Sequence, residues 1–123
     1  MRHEVTEADT AVRVGSGDVP VLATPRLIEW LEAATTRAAR PLVATGLTTV
    51  GTAVRVRHLR ATGVGGVVEV SAQGPAGPAA RRLTFKVQAV DGAGELVATG
   101  EIDRAIVDRD RFVAAVSGKT TDR

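Results

Sequence analysis

The first clear periodic pattern of apolar residues along the chain has the spacing of a helix. From Thr24, the run RLIEWLEAATTRAAR (26–40) continues until Pro41 stops it. Thr24 can cap this helix and Pro25 suits its first position. Its apolar stripe comprises Leu27, Leu31, Ala34 and Ala38, widened by Ile28 and Trp30. The spacing predicts one long helix with one face covered by a larger element, such as a sheet.

After Gly46 the period changes to two, which is typical of a strand. The alternation predicts a long strand whose one face carries Val50, Thr52, Val54, Val56 and His58, while Arg55 and Arg57 point the other way. Further strands are predicted at 66–73, 80–90 and 95–107, separated by the breakers GPAGP (74–78) and DGAG (91–94). An additional strand is predicted at 4–14, before the turn at 15–18.

These elements predict an α+β domain in which a curved antiparallel sheet wraps around one long central helix. A chain of 123 residues suits one domain, here 1–116, followed by a short polar tail at 117–123 that is expected to fray. A lone sheet around one helix leaves apolar and edge surface that a second copy can cover. We therefore expect a two-fold homodimer, and the sequence leaves open whether dimers pair into tetramers.

Composition excludes several functional classes. The absence of cysteine removes disulfides and thiolate nucleophiles, and fits a cytoplasmic protein. We expect no membrane span, since no apolar run approaches about 20 residues, and no signal peptide, since the N-terminus lacks a charged segment followed by an apolar one. Interleaved acidic residues and a net charge of +2 argue against nucleic-acid binding. No metal and no nucleotide cofactor are expected, because the two histidines lack ligand spacing and no P-loop, GxGxxG or GxSxG motif occurs.

Three polar residues are candidates for chemistry, and each has a plain structural alternative. Thr24 can be a simple helix cap, Glu32 a solvated helix residue like Glu29, and His58 the solvated end of its strand. Together, however, an imidazole that titrates near neutral pH and a carboxylate can deprotonate water or a hydroxyl. Free N–H groups at the start of the helix can polarise a carbonyl.

Several arginines alternate along the strands and leave two interpretations open. They can hold the phosphates of a nucleotide-bearing carrier, or they can form an ordinary solvated face. The set comprises Arg55, Arg57, Arg60, Arg81 and Arg82, of which Arg57 is the preferred substrate-binding candidate.

Three segments in order resemble the fluoroacetyl-CoA thioesterase-like family of hotdog proteins. They are VGSGDVPVLATPRLIEWLEAA (14–34), TVGTAVRVRHLRAT (49–62) and LTFKVQAVDGAGELVATGEIDRAIVDRDRF (83–112). The resemblance implies a catalytic set of Thr24, Glu32 and His58, and an acyl pocket beside Gly51. Our hypothesis places the thioester carbonyl at the N-terminus of the helix, near Pro25. The resemblance also implies a dimer whose two active sites lie at the subunit interface, with the pantetheine arm of acyl-CoA entering between the protomers.

The resemblance implies hydrolysis of a small acyl-CoA thioester, with coenzyme A present only as part of the substrate. The short segment GSGDVPVLA (15–23) carries no aromatic residue, unlike the fluoroacetyl-specific member, so fluoroacetate specificity is not implied. The main alternative is a non-catalytic acyl-CoA or small-ligand binding module on the same fold. A hotdog dehydratase or hydratase is disfavoured by Glu32. Residue spacing leaves open whether Glu32 acts as base or nucleophile.

Overall fold

The computed structural model describes residues 1–75 and 81–121. Its strands are β1 (Arg2–Glu4), β2 (Leu47–His58), β3 (Val67–Gln73), β4 (Arg82–Asp91) and β5 (Leu96–Asp108). Its α-helices are α1 (Ala11–Val14), α2 (Thr24–Ala39) and α3 (Arg109–Thr121). Short 3-10 turns span Glu7–Asp9 and Arg40–Leu42.

The strands form one antiparallel sheet in the order β1-β3-β4-β5-β2. Helix α2 packs mainly on β3 and β4, so the sheet curls around it. Among the described strands, β2 lies at an edge of the sheet and pairs with β5 alone. The predicted α+β plan is confirmed, and the four longer strands lie close to their predicted positions. The predicted start of β4 at residue 80 falls outside the described residues.

Helix α2 buries the predicted stripe but begins differently from the prediction. Ala23 is the N-cap, in an extended conformation, so Thr24 and Pro25 are the first two helical residues and the predicted Thr24 cap is wrong. Leu27 and Leu31 are fully buried, and each such leucine stabilises the fold by about 1.5–3 kcal/mol. The helix is therefore held by its apolar face, which leaves the Thr24 hydroxyl available for another partner.

The core lies between α2 and the inner, helix-facing side of the sheet. Its largest fully buried side chain is Phe85 on β4. The other members are aliphatic, apart from the half-buried Trp30 that packs against them. Besides Leu27 and Leu31, the largest fully buried aliphatic side chains are Val5, Leu22, Val68, Val70, Val97 and Ile102.

The predicted strand at 4–14 is wrong beyond its first residue, because threonine side chains favour helical turns here. The backbone N–H and the hydroxyl of Thr6 both donate to Asp9 Oδ2, at 2.8 and 2.9 Å. The hydroxyl of Thr10 accepts from the backbone N–H of Arg13 and so caps α1. Gly15 then ends the helix in the left-handed region, at φ 93°.

Strand β2 contains a bulge that the alternating pattern does not reveal. Gly51 pairs with Arg104 and Ala53 with Asp103, so Thr52 is the extra residue. Val54, Val56 and His58 face inward as predicted, but before the bulge the alternation reverses. Gly51 therefore lies on the inner face, and the prediction that Val50 shares the face of His58 is wrong, because Val50 pairs with Ala105 on the outer side.

The C-terminal segment contains a helix that the sequence did not predict. Helix α3 follows β5 directly and runs through residues 117–121, part of the predicted tail. The domain boundary at 116 and the fraying of the tail stay predictions. Within 1–75 and 81–121, no helix is long and apolar enough to cross a membrane.

Candidate active site

The start of α2 lies against the end of β2, and this brings together two of the three predicted catalytic residues. A hydrogen bond of 2.8 Å joins Thr24 Oγ1 and His58 Nδ1, although the residues are 34 positions apart. The hydroxyl that was expected to cap the helix is thus directed at the imidazole. On the other side of the ring, His58 Nε2 is buried and has no hydrogen-bond partner among the described residues.

The surroundings of His58 favour its neutral form. Burial lowers the pKa of His58, and the backbone of Arg60 offsets this only in part. At neutral pH the imidazole is therefore uncharged and able to accept a proton. A neutral ring hydrogen-bonded to a hydroxyl is the arrangement in which the hydroxyl becomes a better nucleophile, or in which the ring orients a water molecule.

Thr24 and His58 line an open crevice of about 360 Å³. One wall is the segment 16–19 before the helix, and another is the segment 59–61 after β2. Arg60 belongs to this second wall, and its Nη2 lies 3.2 Å from Glu95 Oε1. Because α2 begins at Thr24, the N–H groups of its first turn and the positive end of its dipole adjoin this crevice.

Glu32 lies about two turns further along α2 and lines a neighbouring crevice of about 370 Å³. Val14, Pro25 and Ile28 give that crevice aliphatic walls. The side chain of Glu32 is 40% exposed, whereas Glu29 is 63% exposed and pairs with Arg26 at 2.7 Å. Both glutamates line this crevice, but they differ in exposure and in partner: Glu29 is the more exposed and pairs with Arg26, whereas Glu32 lies beside the buried Arg104.

The carboxylate of Glu32 lies between the inner face of β2 and a buried arginine of β5. Nη1 of Arg104 is 3.5 Å from Glu32 Oε2. Gly51, directly opposite Arg104 in the sheet register, borders the same carboxylate. The sequence analysis did not identify Arg104, although a charged residue at the inward parity of Ile102 was a usable signal.

The predicted substrate-binding residues are distributed unequally around these crevices. Gly51 adjoins the Glu32 carboxylate, and Pro25 lines the crevice of Glu32. Arg57 instead pairs with Thr99 on the outer face of the sheet, opposite to His58, and is exposed. No cluster of histidine, aspartate and glutamate among residues 1–75 and 81–121 could hold a metal ion.

Residues 5–110 match the model of the family described as fluoroacetyl-CoA-specific thioesterase, FlK. The chain belongs to this family. A curated member, the fluoroacetyl-CoA thioesterase of Streptantibioticus cattleyicolor, is 36% identical over 100 residues, which are 81% of this chain and 70% of that protein.

Solved structures agree with membership of the FlK family. A point mutant of FlK in complex with fluoroacetate and CoA superposes with a TM-score of 0.86 and 29% identity, over 98% of this chain and 97% of that one. A thioesterase superfamily member from Thermus thermophilus gives 0.88 and 26%, over 100% and 89%. The predicted family, hotdog architecture and thioester hydrolase class are therefore confirmed.

Proposed function

We propose that this chain hydrolyses a small acyl-CoA thioester to CoA and a carboxylic acid, using Thr24, His58 and Glu32. The observation that carries the assignment of residues is the 2.8 Å hydrogen bond between Thr24 Oγ1 and His58 Nδ1 at the amino end of α2. A capping role would explain a threonine at this place, but Thr24 does not cap. Membership of a thioesterase family supplies the reaction class.

In this proposal the thioester carbonyl lies at the start of α2, near Pro25. The N–H groups of the first turn and the helix dipole stabilise the oxyanion that forms as the carbonyl is attacked. The attacking oxygen bonds to the acyl carbon, the C–S bond breaks, and the CoA thiolate takes up a proton. Water supplies the oxygen and hydrogen that the acid and the thiol require.

Two routes through Glu32 are chemically possible. In one, its carboxylate removes a proton from the attacking water; in the other, it attacks the acyl carbon, and water then cleaves the resulting anhydride. Neutral His58, joined to Thr24, can accept and return a proton in either route. Both routes need the carboxylate of Glu32, so its removal is a test that does not depend on the choice.

A homodimer would complete the site. Strand β2 is a 12-residue edge strand, and its inward Val54 remains 40% exposed although it lies on the core side of the sheet. Glu32 and the Thr24–His58 pair occupy adjacent open crevices rather than one closed pocket. A second copy covering this edge would enclose both crevices and let acyl-CoA enter between protomers.

The two crevices also bear on the substrate. Their lining side chains are aliphatic or polar, with no Phe, Tyr or Trp among those described. The acyl group therefore meets no aromatic gate, and we propose no preference for fluoroacetate. Arg57 keeps its proposed role of contacting the CoA phosphates, for which its exposed position is suitable.

The proposal is tested by measuring the turnover of a panel of short acyl-CoA esters by wild type, Glu32→Gln and Glu29→Gln. A chromogenic thiol reagent detects the CoA that is released. Wild type should turn over at least one ester. Glu32→Gln should lose about 10²- to 10⁴-fold in kcat, the usual contribution of a general base. Glu29→Gln, on the same helix but solvated, should match wild type.

The alternative function gives a different outcome in the same assay. A non-catalytic binding module would bind acyl-CoA, as measured by calorimetry, without releasing thiol in any variant. That result would overturn the hydrolase proposal. Equal loss in Glu32→Gln and Glu29→Gln would instead overturn the specific role of Glu32.

A further inference from the structure

Helix α3 carries an apolar face that the described part of one chain leaves exposed. The helix runs over Arg109–Thr121 and, among the described residues, contacts mainly β5, the strand that it continues. Phe112, Val113 and Val116 are 43, 54 and 64% exposed. Their spacing puts them on one side of the helix, where a second surface can cover them together.

The position of α3 relates it to the free edge of the sheet. The backbone N–H of Arg109 donates to the Gly46 carbonyl at 3.0 Å, so α3 begins beside Leu47, the first residue of β2. Arg109 also lines a crevice with Thr36 and Ala39, near the end of α2. The helix therefore starts on the inner side of the sheet, the side that carries α2.

A two-fold dimer formed along β2 would bring α3 to the far end of the partner's strand. Two copies of one strand pair antiparallel about a two-fold axis, so the start of each strand meets the end of the other. With all of Leu47–His58 paired, Leu47 lies opposite His58 of the partner subunit. Both α2 helices then lie on the same side of one continuous sheet. Helix α3 therefore lies on the side to which the partner's His58 points.

The crevice of Thr24 and His58 has an apolar rim that suits such a neighbour. Val19 and Leu59 line the crevice, and each is about half exposed. A helix of 13 residues is about 20 Å long, which is enough to cross a crevice of about 360 Å³. Burial of the apolar face of α3 against this rim would remove apolar surface of both from water, which is favourable.

We propose that α3 of each protomer lies across the Thr24–His58 crevice of its partner and closes the part that holds the pantetheine arm of acyl-CoA. The inference rests on the proposed function and on the proposed homodimer, and it adds Phe112 and Val116 of the partner subunit to each site. The acyl group occupies the neighbouring crevice, beside Glu32. Helix α3 therefore contacts the arm, and the acyl group still meets no aromatic side chain.

Removal of one apolar side chain from α3 tests the contact with the arm. Phe112→Ser should lower kcat/KM for an acyl-CoA ester by about 10- to 100-fold, the effect of losing one buried apolar contact. The loss should lie mainly in KM, because the groups that act on the thioester are unchanged. Ala114→Ser, on the opposite side of the same helix, is the matched control and should keep the wild-type kcat/KM. Equal kcat/KM values for the two variants would overturn the inference.

Mixed dimers show which crevice α3 covers. Two chains with different affinity tags are co-expressed, and the mixed dimer is purified through both tags. In the first mixed dimer, one chain carries His58→Asn and the other carries Phe112→Ser, so the intact site is covered by an unaltered α3. In the second, one chain carries both substitutions and the other is wild type, so the intact site faces the altered α3. We expect the second to have a kcat/KM about 10- to 100-fold below that of the first.

The other outcomes of the mixed-dimer experiment overturn the inference. The reverse order of the two kcat/KM values would mean that α3 covers the crevice of its own chain, and equal values that it covers neither. A wild-type chain that sediments as a monomer at the assay concentration would overturn it as well. If wild type releases no thiol, the proposed function fails as a separate result. Calorimetric titration with CoA then decides the inference: Phe112→Ser should bind about 10- to 100-fold more weakly than wild type, and equal affinities would overturn it.

Discussion

Gly51→Ala should disable the site while leaving the fold intact. A Cβ built on Gly51 would overlap Glu32 Oε2 and lie 3.2 Å from the Glu32 carboxyl carbon, and 3.6 Å from Arg104 Nη1. The obstructing atom is the end of a flexible side chain rather than backbone. The substitution should therefore be accommodated by movement of the Glu32 carboxylate.

The size of that movement sets the expected loss. The overlapping oxygen has to withdraw by about 1.4 Å to reach an ordinary contact distance, and a misplacement of about 1 Å can already cost about 100-fold in rate. That factor corresponds to about 2.7 kcal/mol in activation free energy. Thermal unfolding should change little, because no core side chain is displaced.

The assay is steady-state thiol release on the best ester of the panel, together with thermal unfolding of each variant. Gly92→Ala is the matched control, because a Cβ there meets nothing within 4 Å. A wild-type kcat in Gly51→Ala would refute the reasoning, and so would a loss of the same size in Gly92→Ala. A variant that fails to fold would also contradict it.

Three further predictions concern stability and pH. Gly100→Ala should lower the free energy of unfolding, measured with denaturant, by about 1–3 kcal/mol. The new Cβ would overlap the Arg55 carbonyl and lie 2.7 Å from Val56 Cα, and neither backbone atom can move aside easily. Unchanged stability would contradict this prediction. Phe85→Ala should lose about 3–5 kcal/mol in the same measurement, and a loss under 1 kcal/mol would count against its central place in the core. Burial lowers the pKa of His58, so the imidazole stays neutral below its ordinary value of 6.5. The rate of thiol release should therefore be retained at pH 6.5 and fall at lower pH. The folding stability that the neutral imidazole contributes should be lost over the same range. A midpoint above 6.5 would contradict that sign.

The sequence predicted the elements whose pattern is set by burial. Helix α2 and strands β2 to β5 bury one face each, so their apolar spacing carries the signal. It did not predict the turns at Glu7–Asp9 and Ala11–Val14, because β-branched residues favour strands on average. Here the side chain of Thr6 hydrogen-bonds to Asp9 and that of Thr10 to the nearby backbone, and these local bonds outweigh the average preference.

The site was predicted only in part, because contacts between residues distant in the sequence have no local pattern. The resemblance selected Thr24, Glu32 and His58, and the structure joins the first to the third. The resemblance could not show that the Thr24 hydroxyl bonds to His58 and does not cap the helix, because both interactions suit a threonine at the start of a helix. The inward turn of Gly51 depends on the bulge at Thr52, which arises from pairing with β5 and has no local signature.

The assignment of Thr24 and His58 is tested most directly by the kcat of thiol release for wild type, Thr24→Val and His58→Asn on one acyl-CoA ester. Both substitutions break the 2.8 Å hydrogen bond at the amino end of α2. We expect each to lower kcat by about 10²-fold or more, with thermal unfolding close to wild type. Wild-type turnover in both variants would contradict the account.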